Sequence, residues 1–153
     1  MKLTADVIQA LSGRTLVTAE SLTGGGIGHV LTSVSGSSAV YKGGVISYTN
    51  WVKENILSVS GGLLEKYGVV SAPVAQEMAQ GVRRLLNADI AVSVTGLAGP
   101  GGDEYGNPVG TVFIGYADSR TSFVRHFVFS GSREDVRNQT IENALKLILE
   151  QNP

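Results

Sequence analysis

Thr15-Leu16-Val17-Thr18-Ala19-Glu20-Ser21-Leu22-Thr23-Gly24-Gly25-Gly26 is the stretch on which the fold turns. Thr15 to Ala19 read as a short strand. Ser21-Leu22-Thr23-Gly24 then turns the chain into a helix carried by Ile27, Val30 and Leu31. A strand that passes through a hydroxyl- and glycine-rich turn into a helix points to an α/β domain.

The neighbouring segments extend this pattern. Upstream, Leu3, Val7, Ile8 and Leu11 fall at helical spacing, so residues 3–12 form an amphipathic helix that Gly13 ends. Downstream, Ser35 to Ser38 is a loop and Val40 to Tyr48 a strand. Gly43-Gly44 inside that strand signals a bulge or a close neighbour. Thr49 or Asn50 caps a helix running to about Leu57, and Leu63 to Tyr67 gives a second helical piece closed by Gly68. Ser71 caps a longer helix with Pro73 in its first turn, reaching about Asn87. Ile90 to Val94 is a short apolar strand of the kind buried on both faces. Thr95 to Pro108 is a long glycine-rich loop. Val109 to Tyr116 and Ser122 to Phe129 pair as a hairpin. A last helix starts near Ser132 and turns Val136, Ile141, Leu145 and Ile148 inward. Strands alternate with helices first and then pair directly. This order predicts an α/β fold, a three-layer α/β/α sandwich with a mixed central sheet, as one domain over residues 1–153.

Composition narrows the function. The 153 residues suffice for a core without metal or disulfide. A formal net charge of −1 gives no pull toward nucleic acid or an anionic membrane. There is no cysteine, so thiolate catalysis and Cys-based metal sites are excluded. The amino terminus does not read as a signal peptide, and no window offers the roughly 18 apolar residues of a membrane span. The expected location is cytoplasmic. Twenty glycines are the unusual feature, gathered at residues 24–26, 43–44, 61–62 and 99–102. They fit tight turns or close approach of backbone to a ligand.

Ligands of α/β sheets collect beyond the carboxyl ends of strands. Three segments lie there: Ala19 to Gly25, Tyr48 to Lys53, and Thr95 to Gly102. Ser21 sits at a strand-to-helix turn whose free amides suit an oxyanion or phosphate; it is either a nucleophile or a helix cap. A serine nucleophile needs a base. His29 and His126 are the only histidines, and both fall inside regular elements, which reads as structural or surface placement. Lys53, in the first turn of its helix, opposes the helix dipole, which favours a lowered pKa and service as a base; the alternative is an ordinary exposed lysine. Tyr48 is placed to relay or orient the proton, or is a core tyrosine. Thr95 and the glycine amides after it form either an anion-binding nest or a plain turn. Glu20, Asp89, Asp103 and Glu104 match no metal-ligand spacing. Arg133 and Arg137 share one face of the last helix, toward a phosphate or toward solvent.

Taken together, Ala19-Glu20-Ser21-Leu22-Thr23-Gly24-Gly25, Gly36-Ser37-Ser38, Gly43-Gly44-Val45 with Tyr48, Asn50 and Lys53, Thr95-Gly96-Leu97-Ala98-Gly99-Pro100, and Pro108-Val109-Gly110-Thr111-Val112 resemble the C-terminal domain of competence/damage-inducible protein A, the CinA-like family. The resemblance keeps motif order over nearly the whole chain. It implies a three-layer fold and a nicotinamide-nucleotide amidase that converts nicotinamide mononucleotide to nicotinic acid mononucleotide and ammonia. It further implies no cofactor, no metal, and a homodimer or higher homo-oligomer. Carried over, Ser21 is the nucleophile, Lys53 and Tyr48 supply the base, and Thr95 assists. Glu20, Thr23, Gly24, Gly25, Ser38, Asn50, Gly96, Gly99, Arg133 and Arg137 stand on the substrate side. Two departures accompany this. Asn107 stands where many relatives carry lysine, which bears on substrate affinity. The N-terminal domain of longer relatives has no counterpart, so a stand-alone amidase is expected. The rival readings are a non-catalytic nucleotide-binding or competence/damage-associated regulatory module, and a deamidase of a different amide.

Overall fold

A computed structural model describes residues 2–153. The strands are β1 (Leu16–Glu20), β2 (Tyr41–Ile46), β3 (Ile90–Gly96), β4 (Thr111–Ala117) and β5 (Ser122–Val128). The helices are α1 (Lys2–Ala10), α2 (Gly26–Thr32), α3 (Asn50–Asn55), α4 (Gly61–Tyr67), α5 (Ala72–Leu85) and α6 (Arg133–Gln151). The strands form one sheet in the order β2-β1-β3-β4-β5. β1 runs parallel to both β2 and β3, while β3, β4 and β5 are antiparallel in turn. The predicted three-layer α/β/α sandwich with a mixed sheet is what forms.

The layers follow from which side chains are apolar. Leu16 of β1, Val92 and Val94 of β3, and Val112 and Ile114 of β4 pack with Val7, Ile27, Leu31, Leu145 and Ile148 from α1, α2 and α6. On the other face, Val17 and Ala19 of β1 and Ala91 of β3 pack with Val74, Met78 and Val82 of α5 and with Leu57 and Leu64. β1 is buried along its whole length, as a central parallel strand must be.

Several boundaries differ from expectation, each for a local reason. β2 ends at Ile46, and the last ladder bond to β1 is the one from the Ser47 amide to the Glu20 carbonyl at 2.7 Å. Its register against β1 slips between Leu16 and Val17, the irregularity that the glycine pair signalled. β3 runs on through Thr95 and Gly96, which pair with Phe113 and Val112. The glycine-rich loop is therefore 97–110, and β4 starts at Thr111. α6 begins where predicted, with Ser132 as cap and Asp135 completing a reciprocal capping box.

The helix layer over β1 depends on one glycine. A Cβ on Gly81 of α5 would lie 1.9 Å from the Leu57 carbonyl oxygen, so α5 approaches the segment after α3 at backbone contact. Gly81→Ala is expected to destabilise the fold by about 2–3 kcal/mol, despite the better helix propensity of alanine. Urea denaturation of the variant checks this. Unchanged stability would mean that the α5 contact is loose.

Candidate active site

The site is assembled where β1 ends. The Ser21 amide still donates to the Val94 carbonyl at 3.1 Å, as a strand residue would. The chain then turns sharply: the Gly24 amide donates back to the Ser21 carbonyl at 3.1 Å. Gly24 (φ +59°) and Gly25 (φ +100°) are both left-handed, which glycine adopts without strain. The amides of Leu22 and Thr23 donate to no group among the described residues. This pair of free donors sits directly after a buried serine.

Lys53 meets that serine from α3. Thr49 caps α3 by accepting from the Val52 amide at 3.4 Å, and this first turn directs the lysine inward. The side chain is fully buried, and its Nζ donates to Ser21 Oγ at 3.1 Å and to the Ser47 carbonyl. No carboxylate lies within ion-pair distance of it among the described residues. Burial lowers its pKa to about 8, because the charged ammonium has lost its water. The lowering anticipated from the sequence is present, with burial as its cause.

Other predicted residues divide into those at the site and those away from it. Tyr48 lines the same cleft as Ser21, yet it does not reach Ser21 or Lys53. The extended chain alternates here: Ser47 points inward and Tyr48 outward. Tyr48 is 61% exposed, and its hydroxyl accepts from Arg133 Nη2 at 3.3 Å. The expected proton relay through Tyr48 is therefore corrected to a place at the cleft mouth.

Thr95 follows the β3 residue that pairs with Glu20, which puts it beside Ser21 on the same face of the sheet. Its hydroxyl donates to the Val69 carbonyl at 2.9 Å. Gly96 and Gly99 line the cleft. Thr23 turns its hydroxyl away, toward Glu20, at 2.6 Å. Arg137 donates to the carbonyls of Leu22 and Thr23 at 3.0 and 3.3 Å, bracing the turn from α6. Arg133 donates to the Gly99 carbonyl at 2.7 Å, tying the glycine loop to α6.

Glu20, Ser38 and Asn50 do not face the cleft. The Glu20 carboxylate is buried and accepts from Thr23 Oγ1 at 2.6 Å and from the amides of Ile27 and Gly28 at 2.8 and 3.0 Å. Its oxygens hold the start of α2, so its role is to fix the turn that presents Ser21. Glu20→Ala would leave these donors without a partner and is expected to lower stability by about 3 kcal/mol. Thermal unfolding reads this, and an unchanged midpoint would mean that water replaces the carboxylate. Ser38 precedes β2, and Tyr41 pairs with Leu16, so Ser38 lies beyond the amino end of the sheet, roughly 16 Å or more from Ser21. Asn50 is exposed at the first residue of α3.

Sequence reasoning missed one contributor, the Ser47 carbonyl that holds Lys53, whereas the Leu97-Ala98 wall of the cleft lies within the Thr95 to Gly102 segment it singled out. A backbone carbonyl has no signature in sequence. His29 is exposed on α2, and His126 is exposed on β5 with its ring stacked on Phe113 at 4.6 Å, as expected of residues outside the chemistry. Asn107 is tied to Asp103 Oδ2 at 2.8 Å and to the Val70 carbonyl at 3.1 Å, inside the glycine loop.

Fold and site define a three-layer α/β domain with a lysine-held serine beyond the carboxyl end of its central parallel strand. The chain belongs to the CinA C-terminal domain family, whose family model matches residues 1–152. A CinA-like protein of Rippkaea orientalis is 49% identical over 136 residues, covering 87% of this chain and 33% of that protein. The chain thus spans about a third of the length of the curated relatives it matches. The crystal structure of competence damage-inducible protein A (ComA) from Klebsiella pneumoniae subsp. pneumoniae superposes with a TM-score of 0.96 at 36% identity, over 98% of this chain and 94% of that one. That of competence/damage inducible protein CihA from Agrobacterium tumefaciens gives 0.92 at 36% identity, over 99% and 94%.

Proposed function

We propose that the domain is a serine amidohydrolase acting on a nucleotide carboxamide, nicotinamide mononucleotide, to give nicotinic acid mononucleotide and ammonia. The observation that carries this reading is the contact between buried Lys53 Nζ and Ser21 Oγ at 3.1 Å, with free amides directly after the serine. A neutral lysine amine keeps two hydrogens, one for the Ser47 carbonyl, and has a lone pair for the serine proton. Ser21 Oγ attacks the amide carbon while its proton passes to Lys53. The oxyanion forms against the Leu22 and Thr23 amides, donors of a kind worth about 3–4 kcal/mol each in comparable sites. Lys53 then protonates the departing nitrogen, and ammonia leaves an ester on Ser21. Water, deprotonated by Lys53, hydrolyses that ester to the acid. The reading follows the family resemblance in taking the enzyme as a cytoplasmic homodimer.

Ammonia release from nicotinamide mononucleotide by chelator-treated protein tests it. Equal yields of ammonia and acid are expected. Bound mononucleotide with no ammonia would make the domain a binding module, and no binding would remove this substrate.

A further inference from the structure

Arg83, Arg84 and Arg120 meet at the end of the sheet opposite Ser21. Arg83 and Arg84 stand in the last turn of α5, and Arg120 in the turn between β4 and β5. Between them lies a cleft of about 460 Å³, lined by these arginines with Gln80, Thr121 and Ser122, among others. The Ser21 cleft measures about 190 Å³. Sites for whole small-molecule ligands run to roughly 300–1,000 Å³, so the larger cleft has room for a complete one. Ala117, at its edge, pairs with Ala91 near the start of β3, whereas Ser21 follows the residue that pairs with Val94. The two clefts are therefore roughly 13 Å or more apart along the sheet.

This cleft is positive on a chain whose formal net charge is −1. Its lining sets three guanidiniums against one carboxylate, Asp118. That carboxylate is turned inward, its side chain only 5% exposed. It accepts from the Tyr116 hydroxyl at 2.8 Å and from the amides of Arg120 and Thr121 at 2.8 and 3.0 Å. Arg120 Nη2 reaches it at 3.4 Å, which leaves most of that guanidinium free. Arg83 and Arg84 meet no carboxylate within ion-pair distance among the described residues. Arg83 is oriented by its Nε, which donates to the Asp89 carbonyl at 3.1 Å. The Asp89 carboxylate is itself taken up by the Thr15 amide and hydroxyl. A helix end favours cations in its last turn, which accounts for Arg83 and Arg84. It does not account for Arg120, which reaches the same cleft from the hairpin. The wall also offers a hydroxyl donor. Ser122 Oγ accepts from the side-chain amides of Gln76 and Gln80, each at 3.2 Å, so its own hydrogen is left to donate.

We propose that this cleft binds a small phosphorylated anion, a diphosphate group, with Arg83, Arg84 and Arg120 on its phosphoryl oxygens and Ser122 Oγ as a further donor. Guanidinium forks match phosphoryl oxygens in pairs, and several cations around one cleft suit a ligand with more than one negative charge. No aromatic ring lines the cleft, so no platform for stacking a base is offered. Free pyrophosphate and the diphosphate of a nucleotide share the chemistry that the arginines recognise. The site is independent of the chemistry at Ser21.

Calorimetric titration of the wild-type protein with inorganic pyrophosphate tests the site. A binding event is expected that Arg84→Met and Arg120→Met, both at exposed positions, each weaken about 10-fold. Arg125→Met, a cation paired with Glu150 on the α6 face of the sheet, and Arg133→Met, beside the Ser21 cleft, are expected to leave it within about 2-fold. Thermal unfolding confirms that each variant folds. Adenosine diphosphate is expected to bind no more tightly than pyrophosphate. Tighter binding with the same arginine dependence would still place the diphosphate group here and make a nucleotide its source. No pyrophosphate binding, equal weakening by Arg125→Met, or loss with Arg133→Met but not with Arg84→Met overturns the proposal.

Discussion

Ser21→Ala is expected to reduce ammonia release by about 10⁴-fold or more while leaving mononucleotide affinity within about 2-fold. The reason is local. Ser21 Oγ is the hydroxyl that Lys53 Nζ reaches, at 3.1 Å, and it stands immediately before the two free amides. Removing it deletes the attacking atom and leaves the cleft walls in place, since Leu97 is held by backbone bonds with Thr111 and Gly110, and Leu22 and Gly99 by the side chains of Arg137 and Arg133. Stability should change by less than about 1 kcal/mol, because one hydrogen bond to a lysine that keeps the Ser47 carbonyl is lost. Steady-state kinetics and calorimetry on one preparation read both halves. A variant with a kcat within about tenfold of the parent would remove Ser21 as nucleophile.

Lys53→Met carries the second large effect. The two side chains are similar in length, and methionine brings no charge into a fully buried position. Activity is expected to fall about 10³-fold, the size of a lost general base that also protonates the leaving group. Its pH behaviour distinguishes a base from a packing residue. With a pKa of about 8, Lys53 is mostly protonated at pH 7. The kcat/KM of the parent enzyme should rise about tenfold per pH unit below 8 and level off above it. Stability moves in the same direction. The native lysine releases its proton near pH 8 and the unfolded lysine near 10.5, so between these values the unfolded chain binds more protons. The stability withheld by burial at low pH is regained as pH rises through that window, by about 3 kcal/mol. Lys53→Met lacks this gain, so the difference between parent and variant denaturation curves should shift in the parent's favour from pH 8 to 10. A pH-independent difference would mean that the lysine is solvated in solution.

Much of this was legible in sequence. Alternation of strand and helix patterns, ended by a hairpin, specified the mixed sheet, because periodicity reports burial and burial follows the layers. The three segments beyond the strand ends were found for the same reason. What escaped was the detail set by tertiary contact. Thr95 and Gly96 read as loop because their strand partners, Phe113 and Val112, are far along the chain. Glu20 read as a substrate residue through the family resemblance. Only the fold shows that it points the other way, into α2. Tyr48 failed as a relay through strand alternation beyond the end of β2, and Ser38 through the direction of β2. The pairing of Ser21 with Lys53 was suggested by the shortage of suitable histidines, and the structure brings the two together across 32 positions of sequence.

The central claim is that Ser21 forms an ester with the acyl half of the amide. Hydroxylamine partitioning tests it most directly. Wild-type enzyme turning over nicotinamide mononucleotide in the presence of hydroxylamine should yield the hydroxamate of nicotinic acid mononucleotide alongside the acid. The ratio should rise with hydroxylamine concentration, and neither product should form with Ser21→Ala. Ammonia released with the acid as sole product at every hydroxylamine concentration would contradict it, since water would then attack the amide without a covalent intermediate.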